Sequence, residues 1–277
     1  MQKRIKQKRY LLLLLILVIS GCKGISQTQA GGEEEPKGSF IMAGSTSMEK
    51  LANATAEGFM ERYPGIRVYT EFTGSSAGIE AVLEERVDLG NSSRNLKPEE
   101  VEKGAVQTPA ARDRIAVITH PSNSLENLTR EELADLYTGK TGNWSRLGGE
   151  DLPVVAVGRE AGSGTRGSFE ELLGIGGKSN CSNELDSSGA VLARVASTPG
   201  ALGYVSLDVC DDTVKILSLE GVSPLEEKEY LLERKVVLVT KGPVEKQSEN
   251  VRLFFRWLES PEGKEVIRDV GLIPVEE

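Results

Sequence analysis

The chain has 277 residues, with 42 acidic and 33 basic side chains, a net charge of −9, one histidine and three cysteines. Such an acid balance argues against nucleic-acid binding through a general basic surface. The length allows two modest hydrophobic cores or one large one, and strand and helix patterns alternate throughout, which is the signature of an α/β fold.

The first ten residues, MQKRIKQKRY, carry five basic groups and no acid, and an uninterrupted apolar run follows from Leu11 to Ile19. This is a secretory signal over residues 1–21, and its apolar run is too short to cross a bilayer unaided. Its removal takes five of the 33 basic residues and no acid, so the mature chain carries −14. Ser20 and Gly21 immediately before Cys22 resemble the bacterial lipobox, a resemblance that implies a lipid anchor on Cys22; the alternative is an ordinary secreted protein. The polar, Gly-rich segment 22–37, with its acidic run at 33–35, reads as a flexible tether.

Beyond the tether, SFIMA reads as a strand, GSTS as a turn and MEKLANATAEGFMERY as an amphipathic helix with Met48, Leu51, Ala52, Thr55 and Phe59 on one face. RVYTEF, TGSSAG and IEAVLEERV repeat the order of strand, turn and helix, and VDLG then runs into the polar loop NSSRNLKPEE. Ile115–Thr119 reads as a strand stopped at His120-Pro121, and LTREELADLYTGK as a helix with a Thr129/Glu132 capping box. In VVAVGREAGSGTRGSFEELLG, a β-branched strand meets a Gly/Ser/Thr turn and a helix marked by Phe169, Leu172 and Leu173, which Gly174 ends. Val236–Thr240 is a further strand, and ENVRLFFRWLESPEGKEVIRDVG reads as two helices broken at Ser260-Pro261.

Three strand-to-helix turns rich in Gly, Ser and Thr, plus one Ser/Arg loop, share one chemistry. A helix N-terminus exposes unpaired backbone N–H groups and the positive end of its dipole. Glycines let that backbone approach a ligand closely, and Arg159, Arg94 and Arg166 add charged donors. If the helix N-termini converge, they enclose an oxyanion such as phosphate. Catalytic chemistry is poorly represented. His120 lies in a turn-like HPSN, no G-x-S-x-G elbow or GxxxxGK[ST] loop exists, and no His/Cys/carboxylate cluster has metal-ligand spacing. No enzyme, metal or cofactor is expected. In an exported chain, Cys181 and Cys210 form an even pair suited to a disulfide, with buried free thiols as the alternative.

The order GSTS, TGSSAGIEAVLEERVDLGNSSR, GREAGSGTR and ESPEGKEVIRDVGLIPV resembles the substrate-binding proteins of the high-affinity phosphate ABC transporter, from about Gly38 to Val275. The resemblance implies a type II periplasmic-binding fold: two α/β lobes joined by two crossing strands, with the ligand in the cleft. Lobe 1 then comprises residues 38–118 and 237–277, and lobe 2 residues 119–236. The implied phosphate donors are Thr46, Ser47, Ser75, Ser93, Arg159, Ser163, Gly164 and Thr165, with Ser45, Arg94 and Arg166 close to the ligand. An aspartate common in the family is replaced here by Ser93, so the strictness of phosphate selection is open. The implied role is that of a monomeric, extracytoplasmic, lipid-anchored protein that binds inorganic phosphate and delivers it to permease subunits, without catalysis. A binding protein for sulfate, molybdate or tungstate is the alternative; a secreted phosphohydrolase, or a sensor or adhesin on the same scaffold, is more distant.

Overall fold

The structure is a computed structural model that describes residues 35–226 and 228–275. The expected signal sequence, the expected lipid site Cys22 and the expected tether up to residue 34 lie outside the described residues. The chain opens with strand β1 (Gly38–Gly44), a tight turn over Thr46–Met48 and helix α1 (Glu49–Arg62), then β2 (Ile66–Phe72), α2 (Ser75–Leu83), β3 (Leu89–Ser92) and α3 (Pro98–Glu102). A long strand β4 (Ala105–Thr119) leads to β5 (Asn127–Leu128), α4 (Arg130–Tyr137), β6 (Val155–Arg159), α5 (Gly164–Leu173), β7 (Asn183–Leu185), α6 (Ser188–Ala196), β8 (Ala201–Ser206) and β9 (Lys215–Leu219). The return is β10 (Glu233–Lys241), followed by α7 (Glu249–Leu258), α8 (Pro261–Asp269) and β11 (Ile273–Pro274).

The strands follow the order β2-β1-β3-β10-β4-β8-β6-β7. β1 pairs in parallel with β2 and β3, and β6 in parallel with β8 and β7, as βα units require. β4 joins these two parallel sets. Its residues 105–114 pair antiparallel with β10, and its residues 115–119 pair antiparallel with β8. The apolar cores divide at the same place. One core gathers Phe40, Phe59, Phe254 and Trp257 in edge-to-face ring contacts, together with Ala111 and Val236. Another begins at Ile115 and Val117 and includes Tyr137, Trp144, Phe169, Tyr204 and Leu232. The fold is thus a mixed α/β architecture, the class that the sequence implied, with separate apolar cores before and after residues 112–114 of β4.

β4 starts ten residues before the strand legible in the sequence. Its first part, AVQTPAARDR, is polar and contains Pro109, which has no N–H to give a ladder. The pairing accommodates it at a bulge: Val236 faces Ala111 and Val237 faces Pro109, so Ala110 is the extra residue. The capping box forms, with the Glu132 N–H donating to Thr129 Oγ1 at 3.2 Å and the Thr129 N–H donating to Glu132 Oε2 at 2.8 Å. Ser260 caps α8 with Pro261 in its first turn, so the break between the last two helices falls where expected.

The disulfide is a correction. Cys181 and Cys210 are free thiols. Cys181 packs on the core that contains Ile115 and Val117, whereas Cys210 packs on the one that contains Ala116 and Ile118. Neighbouring residues of a strand point to opposite faces, so the sheet itself stands between the two sulfurs. Burial pushes the Cys181 thiol up to about 11 and the Cys210 thiol up to about 12.

Candidate anion-binding site

Four strand-to-helix turns converge at one place. After β1, positive-φ Gly44 turns the chain so closely past β3 that a Cβ there would lie 2.1 Å from the Asn91 carbonyl oxygen. Ser45, Thr46 and Ser47 follow and are buried. After β2, Gly74 (φ +94°) precedes α2, so that Ser75 is the first helical residue rather than part of a longer turn. After β6, the Ser163 Oγ caps α5 by accepting from the Arg166 N–H, leaving Gly164 and Thr165 in the first turn. After β7, Ser187 caps α6 and Ser188 opens it. The Ser92-Ser93 end of β3 lies among them.

Ser93 is the centre of the cluster. Its Oγ is 2.8 Å from Ser45 Oγ, 3.4 Å from Ser75 Oγ and 3.4 Å from Thr165 Oγ1. Its N–H donates to Ser75 Oγ at 3.1 Å, and its carbonyl accepts from Ser168 Oγ at 2.9 Å. Ser45 Oγ is in turn 3.1 Å from Ser47 Oγ. Thr46 Oγ1 accepts from the Ser188 N–H at 3.3 Å, and the Gly162 carbonyl accepts from the Ser76 N–H at 3.1 Å. Gly164 sits so close that a Cβ on it would lie 2.2 Å from Ser75 Oγ and 2.7 Å from Ser93 Oγ. The geometry therefore brings Ser45, Thr46, Ser47, Ser75, Ser93, Gly164 and Thr165 together, with Ser163 capping the same helix.

The arginines serve differently. Arg159, 2% exposed, donates from Nε and Nη2 to the two carboxylate oxygens of Glu160 at 3.0 Å each, and to the carbonyls of Leu185 and Asp186. Its Nη1 reaches Ser188 Oγ at 3.2 Å, which turns one edge of the guanidinium toward the cluster. Arg94 forks onto Glu100 and also reaches Ser76 Oγ at 3.1 Å. Arg166, in the first turn of α5, donates from its guanidinium to Glu170, Glu184 and the Arg159 carbonyl. Burial alone would lower its pKa, but the two carboxylates outweigh that and hold it above the ordinary value. Arg94 and Arg166 thus hold the walls, and neither guanidinium donates to the hydroxyls gathered around Ser93.

Two participants were not legible as such. Ser188 follows a recognisable signal, because a short strand, two serines and apolar residues at helical spacing (Val191 and Val195) repeat the pattern of the other turns. Arg234 gave no signal, standing on β10 as one charge in Glu-Arg-Lys. Its guanidinium is buried and donates to Ser47 Oγ at 3.2 Å and to the Ser93 carbonyl at 3.1 Å. It pairs with Asp113 at 2.7 Å. Each of the four arginines therefore has a carboxylate partner, and the cluster offers hydroxyls, backbone N–H groups and helix N-termini rather than net positive charge. Such a set recognises an anion through oriented dipoles. His120 lies in its own turn, with Nδ1 2.8 Å from Ser122 Oγ.

These features define a class: a two-half α/β binding protein whose strand-to-helix turns meet around an oxyanion-sized set of donors. The PBP superfamily domain matches residues 30–262. The phosphate-binding protein PstS of Bacillus subtilis is 32% identical over 98% of this chain and 95% of its own length. PstS of Borreliella burgdorferi is 27% identical over 84% of this chain and 89% of its own. Among solved structures, a candidate phosphate ABC transporter substrate-binding protein from Clostridium perfringens, with bound phosphate, superposes with a TM-score of 0.80 at 35% identity, covering 86% of this chain and all of the other. An ABC-type phosphate transport receptor from Vibrio cholerae has a TM-score of 0.71 at 28% identity, covering 85% of this chain. The chain belongs to the PBP superfamily and, within it, to the PstS family of phosphate ABC transporter substrate-binding proteins.

Proposed function

We propose that the chain binds inorganic phosphate outside the cytoplasmic membrane and hands it to an ABC permease, without catalysing a reaction. The observation that carries this reading is the convergence of hydroxyls and helix N-termini on Ser93 from turns in both halves of the fold. Thr46, Ser47, Ser75, Ser93, Ser163, Gly164 and Thr165 supply hydroxyl and backbone donors, assisted by Ser45. Arg159, oriented by Glu160, supplies the charged donor. Lobes of residues 38–118 with 237–277 and of residues 119–236 were the expected division. The break between cores, after Ala111 and Leu232 and before Ile115 and Val236, favours crossings within 112–114 and 233–235. In this reading the protein acts as a monomer, and a lipid on Cys22 holds it at the membrane surface.

Calorimetric titration with phosphate tests the reading. Micromolar or tighter binding is expected; its absence overturns the proposal. A hydrogen bond to a charged group contributes about 1.5–3 kcal/mol, so Arg159→Ala weakens binding by about tenfold or more while His120→Ala leaves it unchanged. Competing sulfate and molybdate in the same cell measure selectivity. Ser93 is a hydroxyl that both donates and accepts, where a carboxylate would repel a fully ionised anion.

A further inference from the structure

Arg234 on β10 stands directly across from Asp113 on β4, where the two strands run between the separate cores. Its Nε and Nη2 donate to Asp113 Oδ2 at 2.9 and 2.7 Å. The other three arginines spend most of their donors on their own walls, but Arg234 reaches two different binding turns. Nη1 donates to the Ser93 carbonyl at 3.1 Å and Nη2 to Ser47 Oγ at 3.2 Å. The second oxygen of Asp113 accepts from Ser206 Oγ, at the end of β8, at 2.7 Å. One ion pair, with side chains 3% and 2% exposed, therefore links β8, both long strands and two of the turns.

We propose that Arg234 is a positioning residue of the oxyanion site, which holds the Ser47 hydroxyl and the Ser93 peptide in place and, through Asp113, ties them to the crossing of β4 and β10. The inference rests on the oxyanion reading given above. A hydroxyl that accepts from a guanidinium keeps its own proton to donate, and the adjacent cation strengthens that donation. From Ser47 the contacts run through Ser45 to Ser93. Ser93 has its N–H fixed by Ser75 and its carbonyl fixed by Ser168 and Arg234. Only a planar fork with several donors can serve Asp113, Ser47 and Ser93 at once; an ammonium of the same charge cannot match that geometry.

Removing Arg234 alone would leave Asp113 buried and unpaired, which by itself destabilises strongly. The test therefore uses Arg234→Lys, which keeps the charge, and the double variant Asp113→Asn/Arg234→Gln, which removes both charges together. Each full-length variant is titrated with phosphate, sulfate and molybdate, and amide hydrogen exchange is followed in peptides covering 45–47, 92–94 and the helix at 249–258. Both variants are expected to lose about ten- to a hundredfold in phosphate affinity. Exchange is expected to rise at 45–47 and 92–94 and to stay unchanged at 249–258. Wild-type affinity together with wild-type exchange at both turns overturns the inference, as does a rise spread equally over all three peptides. Failure of the wild-type protein to bind any of the three anions overturns the oxyanion reading instead, and the exchange pattern then decides the positioning role alone.

Discussion

Two single residues carry consequences out of proportion to their size. Gly164 has no side chain, and none fits: a Cβ would press on Ser75 Oγ and Ser93 Oγ from the opposite half of the fold. An alanine there suits the helical backbone of α5, but its methyl group must push the buried Ser75 and Ser93 aside, and overpacking of that kind costs about 1–3 kcal/mol, so the protein should still fold with an unchanged or lowered melting temperature. What it loses is the close approach, and phosphate affinity should fall more than tenfold by titration; unchanged affinity would show that the approach is not needed. Asp208 carries the opposite burden. Both its carboxylate oxygens are buried and neither has a partner at hydrogen-bond geometry among the described residues; the Ser206 hydroxyl nearby donates to Asp113. Burial, and then the charge of Asp113, push its pKa up to about 6, against the opposing pull of the nearby Ser206 hydroxyl, then of Lys50 and Arg234. Its folded-state value lies above the ordinary carboxylate value of about 3.9, so the folded protein binds the extra proton between the two. That contribution is full below about pH 4 and is lost as pH rises through about 6. Asp208→Asn, which mimics the protonated acid, should therefore add on the order of 1–3 kcal/mol at pH 7.5 and almost nothing at pH 4. Denaturant midpoints at the two pH values check this, and an equal gain at both would contradict it.

Among the elements, legibility followed periodicity. β1, β2, β6 and the helices after them could be read because apolar spacing and Gly/Ser/Thr turns agree, and the converging turns follow from those readings. α7 and α8 could be read because the apolar residues of ENVRLFFRWL recur at helical spacing and Ser260-Pro261 forms a cap. The first two-thirds of β4 could not. Its residues up to Arg114 owe their conformation to pairing with β10, including a bulge that absorbs Pro109, and nothing local announces a strand there. α2 begins at Ser75, earlier than its apolar residues imply, because positive-φ Gly74 lets the chain turn sharply into the helix. The sequence pointed to the hydroxyls that the structure brings together around Ser93, yet it could not tell which arginines face them. Arg94 and Arg166 look like ligands from spacing alone but are held by Glu100, Glu170 and Glu184. Arg234, in contrast, is drawn in by a partner more than a hundred residues away in sequence. Side-chain direction and long-range pairing decide such cases, and both are tertiary facts. The same limit explains the cysteines, whose even number said nothing about which face of the sheet each would occupy.

At the scale of the whole molecule, the apolar cores are separate and the polar cluster lies between them. Each half buries its own aromatic residues, and across the cluster the two halves meet through polar contacts, for example Ser168 to Ser93 and Ser188 to Thr46. A ligand that bridges the cluster therefore adds a bond between cores that share little else besides β4 and β10. Binding to the folded state alone stabilises it by RT ln(1 + [L]/Kd), about 2.7 kcal/mol at a hundredfold excess over Kd. For a domain of this size each kcal/mol shifts the melting temperature by about 2–4 °C, so saturating phosphate should raise it by about 5–11 °C. Because the proposed donors come from both halves, the whole transition should move as one. The Gly164→Ala variant, which keeps both cores but not the close approach, should lose most of the shift. Differential scanning calorimetry with and without phosphate reads this directly. If the trace resolved into two transitions and phosphate moved only one of them, the ligand would be held by a single half, and a site closed between the two would have to be abandoned.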